Sequence, residues 1–114
     1  MMRVPNADRA IVNVRKLREY SLNPLHRTGR HKARVFAAAL GMTADDAEVL
    51  RDALLSAVQE HEAVLGLKDS YGQRYQVDFV LEWKGKRATV RSAWIIESDT
   101  VPFPRLTSCY VLEE

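Results

Sequence analysis

The chain has 114 residues and a mass of 13.0 kDa; 46% of its residues are hydrophobic and 28% charged, with few Gly and Pro. That much apolar surface can offset the chain entropy of a single compact domain, which excludes a disordered or collagen-like chain. The longest apolar run, Val35 to Met42, is far shorter than the roughly 20 residues that span a bilayer, and no apolar stretch follows the N-terminal charges. The expected setting is therefore the cytoplasm, with no membrane partner. A lone cysteine, Cys109, excludes an internal disulfide framework and a multi-cysteine zinc site.

The formal charge of +2 hides a segregation. Residues 1–41 carry nine Lys or Arg against Asp8 and Glu19, a net +7, together with His26 and His31. Residues 42–66 carry six acidic residues against Arg51, a net −5, and the remainder balances at seven against seven. A basic block holding two histidines suits a polyanion such as RNA. A solvated surface neutralised by nearby carboxylates would explain the same block without any ligand.

In chain order, Asn13 is a good N-cap for a short helix carrying Leu17, Tyr20 and Leu22, which Asn23-Pro24 ends. A second helix over residues 30–40 places Ala33, Phe36, Ala37 and Leu40 on one stripe, with Gly41 as its stop. Thr43 and Asp46 have the spacing of a capping box for a third helix, which buries Ala47, Leu50, Leu54 and Val58. Its acidic first turn complements the helix dipole, so no metal is needed to explain it. From Tyr71-Gly72 the period becomes two. Tyr75, Val77, Phe79, Leu81 and Trp83 alternate with Arg74, Gln76, Asp78, Val80 and Glu82, and Lys84-Gly85-Lys86 turns the chain into a second strand. There Ala88, Val90, Ser92, Trp94 and Ile96 alternate with Arg87, Thr89, Arg91, Ala93 and Ile95. Pro102 and Pro104 break the next loop, and residues 106–112 read as a third strand with no assignable buried face. The sum is an α+β protein in one domain. Residues 1–66 are mainly helical and 67–114 mainly antiparallel strands, with the helices on one face of a sheet of at least three strands. Phe36, Leu40, Leu50, Leu54, Val77, Phe79, Leu81 and Trp94 should be buried together.

The densest group of reactive side chains is His26-Arg27-Thr28-Gly29-Arg30-His31-Lys32, a loop running into a helix start. Histidine can exchange protons near neutral pH, and Arg30 and Lys32 beside a helix N-terminus suit a phosphate. A packed His26 and a wet cationic surface account for the same residues without chemistry. Thr89 and Arg91 share the strand face away from the core and could bind phosphate, or Arg91 could pair with Asp78 or Glu82 across the sheet. The histidine spacing gives a metal site little support, and Cys109 reads as a small buried residue rather than a nucleophile.

Several runs carry a resemblance. Val4-Pro5-Asn6-Ala7, Lys16-Leu17-Arg18-Glu19-Tyr20-Ser21-Leu22-Asn23-Pro24 and His26-x-x-Gly29-x-x-Lys32-Ala33-x-x-Phe36 resemble an uncharacterised bacterial family of small proteins. Gly72-x-Arg74-Tyr75-x-Val77, Val90-Arg91-Ser92-Ala93-Trp94 and the run from Pro104 to Leu112 extend the match over nearly the whole chain. Similar domains look like C-terminal modules of bacterial polymorphic toxins, or one half of a toxin and antitoxin pair. The helix-then-sheet order also resembles the ribonuclease group that includes barnase, EndoU, colicin tRNases and RelE-like toxins. That resemblance implies cleavage of RNA by 2′-hydroxyl attack without metal or cofactor, and a small cognate antitoxin protein as partner. It places His26, Lys32, Arg91 and Tyr110 as catalytic candidates, with Thr89 and Ser92 binding substrate; the basic loop itself adds His31 as an alternative acid or base and Arg30 on the substrate, although Arg30-His31 departs from the relatives' spacing. The competing expectation is a non-catalytic module that binds protein or RNA through the basic N-terminal third.

Overall fold

The computed structural model describes residues 2–98 and 100–113. A short helix, α1 (Val14–Lys16), continues into a π turn over Leu17–Ser21, and is followed by α2 (Arg30–Leu40) and α3 (Ala47–Glu60). Four strands follow: β1 (Val64–Asp69), β2 (Gly72–Trp83), β3 (Lys86–Ile96) and β4 (Arg105–Val111). They form one antiparallel sheet in the order β1-β2-β3-β4, so the chain meanders from one edge to the other. This is the expected α+β arrangement, with one strand more than the periodicity revealed. β1 begins at Val64, inside the stretch read as helical, and all six of its residues are exposed.

Each helix end follows from local chemistry. The Asn13 side chain accepts hydrogen bonds from the N–H groups of Arg15 and Lys16 at 3.0 and 3.2 Å, satisfying donors that the first turn leaves free. The α1 turn then widens, and the Leu22 N–H reaches the Leu17 carbonyl at 2.9 Å. Gly41 stops α2 at φ 67, a left-handed conformation that costs a side chain with a Cβ but not glycine. Thr43 and Asp46 form the full capping box ahead of α3 through a short 3₁₀ turn, as their spacing predicts. On α2, Ala33, Phe36 and Leu40 are buried but Ala37 is exposed, against expectation. Ala37 lines an open cleft with Leu22, Pro24 and Met42 instead of joining the core.

Val77, Phe79, Val90, Trp94, Cys109 and Val111 point from the sheet into a core shared with Leu17, Leu22, Phe36, Leu40, Leu50 and Leu54. Burying each such large side chain stabilises the fold by about 1.5–3 kcal/mol before entropy is counted. Of the expected core only Leu81 falls short: it packs against the cluster half-buried. β2 and β3 pair without interruption from Gln73↔Ile96 to Trp83↔Lys86, closing on Lys84-Gly85 with φ 50 and 81, the geometry of a two-residue hairpin. Between β3 and β4 the register shifts at Ala93/Trp94, so Leu106, Cys109 and Val111 are buried at unequal spacing. That shift is why alternation assigns β4 no buried face. The N-terminal segment laces the fold together: Val4 is buried, the Ala63 N–H meets the Met2 carbonyl, and Ile11 bridges to Arg105 beside β4.

Candidate functional site

The sheet face away from the helices carries a row of polar side chains. Asp78, Arg91 and Tyr110 are direct partners across β2, β3 and β4. Arg91 donates Nε and Nη2 to the two carboxylate oxygens of Asp78, each at 3.0 Å, a bidentate pair. Asp78 first, then Tyr110, holds the Arg91 guanidinium even more firmly charged than usual. On an open face this fixes where a positive charge sits more than it adds stability. The expectation that Arg91 pairs across the sheet is met with Asp78; Glu82 sits beside Arg87 instead.

Lys32 joins the row from a distant part of the chain. β4 is one of the sheet's two edge strands, α2 packs against it, and Lys32 places Nζ 4.3 Å from the centre of the Tyr110 ring. Next to it, His31 Nε2 lies 3.4 Å from Glu113 Oε1, with both side chains mostly exposed. Glu113 in turn lines an open cleft of about 630 Å³ with Val35, Ala39, Arg87, Thr89 and Leu112. The helix that supplies His31 and Lys32 thus forms one wall, and Thr89, two residues from Arg91 on the same strand face, stands on the other.

Of the expected residues Lys32, Arg91 and Tyr110 meet, while His31 is held beside Glu113 and Thr89 shares with Glu113 the lining of the cleft. Arg30 is exposed in the first turn of α2, and among the described residues Arg27, Arg30 and Arg34 form no ion pair. Ser92 is not on this face. It is buried, donates to the Val77 carbonyl at 2.7 Å and accepts from Trp94 Nε1 at 2.9 Å, so its hydroxyl is spent in the core. His26 is likewise occupied elsewhere: its Nδ1 accepts the N–H groups of Thr28 and Gly29 at 3.1 Å, and its ring stands edge-on to Tyr20. A ring accepting at Nδ1 carries its hydrogen on Nε2. Burial pushes the Cys109 thiol up to about 12, so it stays protonated and inert. Asp78, Glu113, Arg27 and Arg34 were not singled out as site residues from the sequence. The two arginines carried a signal in the basic block, whereas Glu113, beyond the last strand, carried none.

Together these groups can hold an anion between Lys32 and Arg91, offer it a phenol hydroxyl, and exchange a proton through an imidazole beside a carboxylate. The class so defined is an α+β protein with helices on one face of a four-stranded meander and the row Asp78, Arg91 and Tyr110 on the other, reached by Lys32 from α2. The chain belongs to the family described as Domain of unknown function (DUF6883), whose model matches residues 3–113. No curated protein matches it. Among solved structures it is similar to a chain of the contact-dependent growth inhibition toxin–immunity protein complex from Klebsiella pneumoniae 342. The two share 14% identity and a TM-score of 0.72, and the match covers 96% of this chain and 98% of that one. Among the described residues no helix is long and apolar enough to cross a membrane.

Proposed function

We propose that the chain is a ribonuclease-like toxin, cleaving RNA by attack of a ribose 2′-hydroxyl on the adjacent phosphate. The observation that carries this reading is the meeting of Lys32, Arg91 and Tyr110, from three separate elements, on an open face beside the His31–Glu113 pair. His31, oriented by Glu113, takes the proton of the 2′-hydroxyl as its oxygen bonds to phosphorus. Lys32 and Arg91 stabilise the charge that grows on the phosphate oxygens, and Thr89 orients them. The bond to the 5′-oxygen breaks, and Tyr110 gives that oxygen its proton and regains one from water. Arg30 contributes to holding the RNA backbone. His26 shapes the loop rather than reacting. The fold's occurrence in a toxin–immunity complex supports the toxin role, and a cognate immunity or antitoxin protein is the partner it implies.

Incubation of the purified chain with RNA in EDTA tests this. Cleavage should appear with the wild type and fall by about 10² to 10⁴ in His31→Ala and Lys32→Ala, both exposed positions whose loss leaves the fold intact. RNA that is bound in a salt-dependent manner but left whole after prolonged incubation would instead favour the non-catalytic module, for which Arg27, Arg30 and Arg34, without ion pairs among the described residues, suffice.

A further inference from the structure

The loop between α1 and α2 presents the most exposed large apolar side chain among the described residues: Leu25, 88% exposed. The backbone around it is pinned on both sides. Asn23 donates to the Glu19 carbonyl at 3.0 Å and accepts the Leu25 N–H at 2.9 Å. After Leu25, the His26 ring ties down Thr28 and Gly29 and leans on Tyr20. Gly29 lies so close to the Tyr20 carbonyl that a Cβ would meet it at 2.8 Å, so glycine is required for this approach. Seven residues are thus held in one conformation, and the outcome is a leucine in water that no core contact uses.

Its surroundings narrow what it meets. None of the other exposed large apolar side chains lies in this loop or on α2, although its neighbour Pro24 lines an open apolar cleft of about 400 Å³ with Leu22, Ala37 and Met42. Arg27 and Arg30 follow within five residues, without ion pairs among the described residues. A lone apolar tip flanked by cations matches the way side chains enter nucleic acids, the wedge between bases and the cations on phosphates.

We infer that Leu25 is a wedge that inserts between neighbouring bases of an unpaired or weakly paired stretch of RNA, with Arg27 and Arg30 on the flanking phosphates. The inference rests on the RNA reading above and adds to it a residue that chooses the position cut. Because Arg30 and Lys32 share the first turns of α2, a strand seated on the wedge is registered relative to the helix that carries Lys32 to Tyr110. The pinned loop lowers the ordering cost of that step.

The test uses the full chain and RNA oligonucleotides that carry 2′-O-methyl riboses, which cannot be cleaved, and a fluorescent purine analogue placed at successive positions. Wild-type protein should raise the fluorescence at one or two positions as a base unstacks. Leu25→Ala should keep salt-dependent binding within about threefold but lose the rise, and should cut ordinary RNA roughly tenfold more slowly, while Leu25→Met retains both. Equal unstacking and cleavage by wild type and Leu25→Ala would overturn the wedge and leave the ribonuclease reading standing. No RNA binding by the wild type at low salt would overturn both. If Leu25→Ala leaves unstacking unchanged and only loosens an inhibitor protein, the loop belongs to a protein interface and the wedge is overturned.

Discussion

The two faces of the sheet are built from the same strands by residues one position apart, yet they answer to different demands. Ser92 and Cys109 face the core, while their neighbours Arg91 and Tyr110 face the open side. On the core face a polar atom without a partner within the protein is costly; Trp94 Nε1 and the Ser92 hydroxyl find theirs, whereas Trp83 Nε1 is buried without one. On the open face water satisfies such groups, so charge can be placed where a ligand would meet it. Reactive type alone does not separate the two faces; position in the pleat does.

The contrast can be broken most forcefully at Phe79. Truncation to Ala should cost about 3–5 kcal/mol in a urea melt, whereas Tyr110→Phe, on the open face, should change stability by less than about 0.5 kcal/mol. Equal effects at the two sites would erase the distinction. Ser92→Ala should be intermediate, at about 1–3 kcal/mol, because it strands the buried Trp94 N–H and removes a donor from the Val77 carbonyl. RNA cleavage by the remaining folded Ser92→Ala protein should match wild type. A further effect shows only in alkali. With its folded value raised by burial from 9.0 to about 12, Cys109 favours folding fully below pH 9, and that contribution is lost progressively as pH rises toward 12. Cys109→Val should flatten this part of the pH–stability profile; an unchanged slope would place the thiol in water.

The long alternating run of β2 and β3 was legible because each residue's face follows from parity, which also groups Ser92 with Val90 and Trp94 in the core. β1 was not, because Val64-Leu65-Gly66-Leu67 does not alternate, is exposed throughout and is irregular in its pairing with β2. Nor was the π turn in α1, which leaves no trace in residue spacing. For the candidate site, residue type picked out His31, Lys32, Arg91 and Tyr110, but their meeting depends on α2 lying against β4, a contact between distant parts of the chain. His26 shows the reverse. Its chemistry drew attention, while the hydrogen bonds that employ it lie within three residues of it.

The strand at the far edge of the meander has a consequence for the order of events during translation. Tyr110 belongs to β4, and the N-terminal segment completes its own pairing only against Pro104, Arg105 and Leu106. A ribosome making this chain therefore releases the helices and three strands before the partner of Lys32 exists in folded form. The meeting of Lys32 with Tyr110 and Arg91 waits until β4 has left the ribosome and paired with β3.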